Sequence, residues 1–296
     1  MKHLYLLCLL WLIPQTAIMA QDKPAYQLFD GKGKSLKYKK LLKSSSQADV
    51  VMFGEYHNNP IAHWLELELF RDLIEARGAS QMVLGAEMFE QHQQEAIDAY
   101  VAGTWTLDQL NDSTKMWSNF DTDYLPVLDL AKDSGITVVA TNVPRKYARM
   151  VSKQGQEALL ELSEEEKALM VPLPYPVDFE LSSYQEMMGM MAGHGDVDMS
   201  KNFVSAQAIK DATMAHFLLK AWKPGQLAYH LNGSFHSNYK QGIVWYLLQA
   251  QPELDIVNIA VVEQSQVDTL EDENQGLADF IIVVPETMTK TYLQRF

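Results

Sequence analysis

The sequence predicts an α/β protein, a mostly parallel sheet flanked by helices with a helical subdomain inserted before the later strands, and three observations carry that prediction. Short apolar runs such as Val50 to Phe53, Met82 to Ala86 and Ile136 to Ala140 alternate with amphipathic helical stretches, the pattern of right-handed βαβ units. Two strand-like runs end in the same turn, Gly54-Glu55-Tyr56-His57 and Gly233-Ser234-Phe235-His236. Each puts a histidine where a buried parallel strand reaches its carboxyl end, the edge at which open α/β sheets bind ligands. The third observation is that the stretch from Arg145 to Ala221 contains no strand-like run and is rich in Glu, Met, Ala and Leu.

Taken in order, Tyr26 to about Tyr38 reads as a hairpin around Asp30-Gly31-Lys32-Gly33 that covers a sheet edge. The first core strand spans 50–55, and Pro60 suits the first turn of a helix that runs to Arg77 with Leu65, Leu69, Leu73 and Ala76 on one face. Gly78 is a fitting helix stop. A second strand, Met82 to Phe89, carries Glu87 near its end; 91–112 is helical with a break near Gly103; Trp117 to Asp123 is an aromatic loop. Leu125 to Ser134 forms a helix closed by Gly135, and the third strand, Ile136 to Thr141, leads into Asn142-Val143-Pro144-Arg145. Within the insertion, about 146–221, Pro172-Leu173-Pro174-Tyr175-Pro176 is an extended break and Gly193-His194-Gly195 a turn. The sheet resumes at Leu227 to Leu231, Ile256 to Val262 and Phe280 to Val284, with an exposed acidic, Gln-rich loop at 264–278.

Composition narrows the functional classes. At 296 residues and 47% hydrophobic the chain can bury one large core. Met1-Lys2-His3, the apolar stretch Leu4 to Pro14 and the small Ala20 form a cleavable secretory signal over 1–20, too short for a good membrane span, so 21–296 is read as a single secreted domain. Cys8, the one cysteine, follows Leu6-Leu7 rather than a small residue, which argues against lipid attachment. Loss of the signal leaves no thiol, so any metal must take N and O ligands. A net charge of −14 disfavours nucleic acid and anionic lipid, and the lysines between Lys32 and Lys43 read as a solvated hairpin surface.

Four strand ends converge if the sheet is wound as expected: Glu55 with His57, Glu87, Asn142 with Arg145, and His236, with Gly54 and Gly233 shaping the pocket. His57 and His236 are candidate metal ligands, and Glu55 and Glu87 candidate general bases of a metal-dependent hydrolase. For each residue taken singly, a capped scaffold role is the plainer reading. His63 is a boundary residue or a partner behind His57, while His92, His216 and His230 have no motif around them. His194 follows Met187-Met188-Gly189-Met190-Met191, either a packing stripe or a flap over a flat apolar ligand.

Gly54-Glu55-Tyr56-His57-Asn58-Asn59-Pro60, Gly85-Ala86-Glu87-Met88-Phe89-Glu90, Ala140-Thr141-Asn142-Val143-Pro144-Arg145 and Gln207 to Ala215 together resemble the ChaN family of iron-regulated haem-binding proteins. That family stands beside the Tiki, TraB and erythromycin esterase proteins. The resemblance implies a parallel α/β core with a helical subdomain and secretion to the bacterial envelope. It further implies haem as cofactor at a homodimer interface with a tyrosine-type ligand, a role in haem and iron acquisition, and an outer-membrane uptake partner. Haem proteins use axial His or Tyr, which makes Tyr175, Tyr184 and His194 the candidate ligands in the insertion, with Arg145 meeting propionates. Three readings stay open: a haem carrier, a peptidase- or esterase-type hydrolase with a divalent metal, and a metal-stabilised scaffold without turnover.

Overall fold

The computed structural model describes residues 22–191 and 197–292. The expected signal peptide and the turn at His194 lie outside them. Along the chain run β1 (Gln27–Asp30), β2 (Ser35–Leu36), α1 (Tyr38–Ser45), β3 (Val50–Glu55), α2 (Pro60–Arg77), β4 (Met82–Glu90), α3 (Gln94–Val101), α4 (Leu107–Ser113) and α5 (Leu125–Ser134). They are followed by β5 (Thr137–Asn142), α6 (Arg145–Gln154), α7 (Glu164–Lys167), α8 (Ser182–Met191), α9 (Val197–Ala221), β6 (Leu227–Gly233), α10 (Ile243–Ala250), β7 (Ile256–Gln264) and β8 (Phe280–Pro285).

One sheet of eight strands, ordered β2-β1-β8-β7-β3-β6-β4-β5, organises the molecule. The six strands from β8 to β5 are parallel, and the expected hairpin caps the edge, with β1 antiparallel to β8. Because β3 lies between β7 and β6, the chain winds away from it in both directions, and its carboxyl end opens on the crevice left at that reversal.

Alternation along β3 feeds two cores. Val51 and Phe53 pack with Leu65, Leu69 and Leu128 on the side of α2 and α5. Val50 and Met52 face Ile209, Ala212, Ile243 and Leu247 on the side of α9 and α10. The strand is buried on both faces, as its near-continuous apolar run requires. Truncating Leu69, which has no exposed surface, to Ala would cost about 2–5 kcal/mol. The helices of 146–221 supply the second layer, so the insertion helps to cover the sheet and to wall the crevice.

Three local features aim the side chains. Asn59 caps α2, its Oδ1 accepting from the backbone N–H groups of Ile61 and Ala62 at 3.0 and 3.2 Å, with Pro60 at the first position. The β4–β5 register shifts between Ala86 and Glu90, the irregularity that lets Glu87 turn out of the ladder. The expected aromatic loop is partly a π-helical turn, Phe120–Tyr124, which buries Asp123 and Tyr124 against α2. The acidic 264–278 loop is less exposed than composition suggests: Val267, Leu277 and Ala278 form an apolar cluster with Phe29 and Ile281.

Candidate functional site

β3 and β6 pair in parallel with Glu55 opposite Gly233, which sets the two Gly-x-x-His turns side by side. Both glycines are there for space. A Cβ on Gly54 would stand 2.9 Å from the Ile259 carbonyl oxygen and 3.1 Å from Ser234 Cα; one on Gly233 would stand 2.7 Å from His57 Nε2.

On the β3 side, His57 Nδ1 donates to Glu55 Oε1 at 2.6 Å, and the Tyr124 hydroxyl donates to the same oxygen at 2.7 Å. The other oxygen, Oε2, lies 3.1 Å from His63 Nδ1, which is 3.0 Å from Glu66 Oε2. Burial alone would raise the Glu55 carboxyl, but His63 and His57 hold it well below the usual carboxylate range. Burial likewise works against protonated His63, yet Glu55 and Glu66 lift it to about 12. Glu66, fully buried beside Glu55, is pushed well above its ordinary range. Burial lowers His57, but the hydrogen bond and charge of Glu55 outweigh it and raise the ring, whose side chain is 25% exposed toward the crevice.

Beyond β6 the order of partners repeats deeper in the protein. His236 Nδ1 bonds to Asp211 on α9, whose other oxygen accepts from the Tyr184 hydroxyl at 2.7 Å. Its Nε2 lies 3.2 Å from Glu87 Oε1, while the Gly233 N–H donates to Glu87 Oε2 at 2.8 Å. Burial opposes the charge on His236, but Glu87 and Asp211 raise it to about 9. Glu87, despite burial, is held far below the carboxylate range by His236 and His57. Asp211 is raised because burial exceeds the opposing pull of His236. His230 sits beneath, driven down to about 4 by burial, so it is neutral.

Above these groups the crevice opens as two connected hollows. One, of about 410 Å³, is bounded by His57, Glu87 and Asn142 and by the cations Arg145, Arg149 and Lys210. The other, of about 940 Å³, shares His57, Met187, Phe203 and Gln207 with it. Five of the large apolar side chains left exposed among the described residues line this second hollow: Tyr56, Met190, Phe203, Phe235 and Tyr239. Such a concentration marks an interaction surface.

The crevice thus gathers Glu55, His57, Glu87, Asn142, Arg145, Gly233 and His236 from four strand ends, with Gly54 beneath them. His57 and His236 do not belong to a compact three-donor group, the arrangement found instead at Glu55, His63 and Glu66 among the described residues. Tyr175 and Tyr184 are not at the surface of the crevice. They are 3% and 1% exposed, with hydroxyls donated to the Ser205 carbonyl and to Asp211, so neither oxygen is turned to the crevice.

Gln207, Asp211 and Tyr56 stand in the motifs quoted above but were given no role of their own, and Glu66, Tyr124 and Tyr239 were not singled out. For the first two a signal existed: Gln207 and Asp211 are four residues apart, a polar pair on the buried face of an otherwise Ala- and Met-rich helix. Tyr124 and Tyr239 are carried by irregular turns and had no periodicity to reveal them.

Residues 41–247 match the model of the family described as haem-binding uptake, Tiki superfamily, ChaN. Among solved structures, one described as cofacial haem binding to ChaN of Campylobacter jejuni has a TM-score of 0.66 at 15% identity, covering 88% of this chain and 96% of that one. That likeness is one of fold. The type III effector HopBA1 gives a TM-score of 0.45 at 12% identity over 83% of this chain and 91% of its own. A mutant of the erythromycin esterase EreC in its open conformation gives 0.48 at 12% identity over 84% and 93%. No curated protein matches by sequence.

Proposed function

This chain belongs to the ChaN family of haem-binding uptake proteins, and on that premise we propose that it binds haem in the crevice over the strand ends and serves haem or iron acquisition in the bacterial envelope. The observation that carries the proposal is the hollow of about 940 Å³ on which the exposed apolar side chains Tyr56, Met190, Phe203, Phe235 and Tyr239 converge. It is of the size that takes a large flat ligand, and it adjoins three cations suited to carboxylates.

The residues fit haem in kind. Tyr56 and Tyr239 offer phenol oxygens at the hollow and would be the residues to hold the iron that haem would supply. Tyr239 is the stronger candidate: its backbone is held at φ 61°, a conformation costly for an aromatic residue and typical of functional positions. Desolvation, together with Glu263 for Tyr56 and Glu186 for Tyr239, raises both phenols, so each stays protonated until a ligand lowers it. Arg145, Arg149 and Lys210 would meet the propionates, and the exposed apolar rim would be covered by a second copy of the chain. Secretion is supported by the leader-like 1–20; a mature N-terminus at Gln21 on direct sequencing is the expected result.

Titration of the purified protein with haemin tests the proposal. A saturable, shifted Soret band is expected, altered or lost in Tyr239→Phe or Tyr56→Phe and retained in Tyr184→Phe. Absence of a saturable band, or a band that depends on Tyr184 alone, overturns it. A second reading, a hydrolase with His57 as general base, is favoured by one observation: two histidines, each oriented through Nδ1 by a buried carboxylate, flank the same crevice. Ester or amide hydrolysis lost in His57→Ala, with the Soret band unchanged, would add that activity to the carrier.

A further inference from the structure

We propose that Glu55, His63 and Glu66 hold a resident divalent metal ion beneath the crevice, behind the haem-binding surface, with which the centre shares Glu55. One donor atom from each lies within 4.8 Å of the others, and the three residues are exposed by 5% or less. His63 Nδ1 stands 3.0 Å from Glu66 Oε2 and 3.1 Å from Glu55 Oε2. A ring nitrogen carries at most one proton, so one of these two contacts contains no hydrogen bond. The aligned bond goes to Glu66, and Glu55 Oε2 and Glu66 Oε1 are left buried without a hydrogen-bond partner. Orphaned carboxylate oxygens inside a protein call for a cause, and a cation among them is a sufficient one.

Geometry and surroundings agree. Two donors about 3 Å apart stand where ligands about 2.1 Å from a common ion would be at roughly right angles. His63 Nε2 has its own acceptors, the His57 carbonyl at 3.2 Å and Asp123 Oδ2 at 3.3 Å, so the Nε2–H tautomer would be held in place while Nδ1 gave its lone pair to an ion between the two carboxylates. Asp123 is fixed in turn by Asn119 and by Thr291, at 2.6 and 2.7 Å. Glu55 Oε1 is held by Tyr124 and His57, leaving Oε2 for the ion. Such outer partners are the usual support of a metal ligand shell. One imidazole and two carboxylates, with no thiolate, suit Zn²⁺ or Mn²⁺. The ion would brace the turn that carries His57 against α2 and leave the crevice open above it.

The test is elemental analysis of protein purified without chelator, joined to thermal melts and visible absorption after EDTA treatment and reconstitution with Zn²⁺, Mn²⁺ or Co²⁺. Expected are about one ion per chain, a Tm that rises on reconstitution, and d–d bands with Co²⁺. The ion should persist in His236→Ala and be lost from Glu66→Gln, while Asp123→Asn should weaken its binding about 10–100-fold. If Glu66→Gln does not fold, the wild-type Co²⁺ spectrum and Asp123→Asn decide. No ion in the purified protein together with no Tm rise and no Co²⁺ bands overturns the proposal, as does an ion whose retention follows His236 rather than Glu66. Haemin titration reads independently, so either proposal can fail alone.

Discussion

The two Gly-x-x-His turns are alike in sequence, adjacent in the sheet, and opposite in environment. His57 has one nitrogen engaged by Glu55 and a quarter of its side chain open to the crevice. His236 is gripped on both nitrogens, by Asp211 and Glu87, with 6% of its side chain exposed. The difference teaches that a repeated motif at repeated strand ends need not have a repeated role. The β3 turn leaves its histidine open to the crevice, whereas the β6 turn ties the sheet to α9 through a buried charge network. Neither role is set by the turn itself; α9, which reaches one histidine and not the other, decides.

The largest effect that would sharpen this contrast is on stability. Asp211→Asn, which leaves a buried charged imidazole short of its partner, is expected to cost about 3–5 kcal/mol in denaturant melts. The corresponding loss at the open turn, His57→Ala, should cost about 1 kcal/mol, because Glu55 keeps Tyr124 and His63. Equal costs would break the comparison.

Next comes pH. His236 is raised in the folded protein from 6.5 to about 9, so its contribution is fully present below pH 6.5 and is lost as pH climbs through 9. Stability should fall by about 3 kcal/mol across that window and fall much less in His236→Gln. A flat profile in the wild type would mean that His236 is neutral in the fold. Gly233→Ala should cost about 1–3 kcal/mol, since the added methyl meets His57 Nε2 at 2.7 Å and the ring must move. Its readout is a shift in the His57 ring resonances by NMR, with those of His236 little changed. The smallest effect is expected at the cationic wall, where Arg149→Ala should weaken haem binding by about twofold to fivefold, as a part-solvated ion pair does. An unchanged dissociation constant would take Arg149 out of the site.

How much of this was legible varies with the kind of signal. β3, α2 and α5 stand within a residue of their expected bounds, because period, Pro60, Gly78 and Gly135 are local causes acting on local structure. The convergence of Glu55, Glu87, Asn142 and His236 also followed from sequence, since parallel winding sends all carboxyl ends to one edge. The choice of Tyr175 and Tyr184 as haem ligands shows the limit. Their sequence context in a Met-rich helical stretch says nothing of which way a side chain turns, and both are packed inward with their hydroxyls spent. Tyr239 was invisible for the converse reason: its exposure depends on a left-handed turn pinned by the Leu277 carbonyl, far along the chain.

By itself, then, the sequence determined the α/β winding, the edge where the crevice opens and the chemical types that stand there, because hydrophobic period and turn residues act over a few positions. Tertiary structure alone decided which of two like turns is open, which carboxylates crowd a buried histidine, and which tyrosines face outward. Those outcomes depend on desolvation and on donor distances of about 3 Å between residues far apart in the chain, and both exist only once the helices have packed.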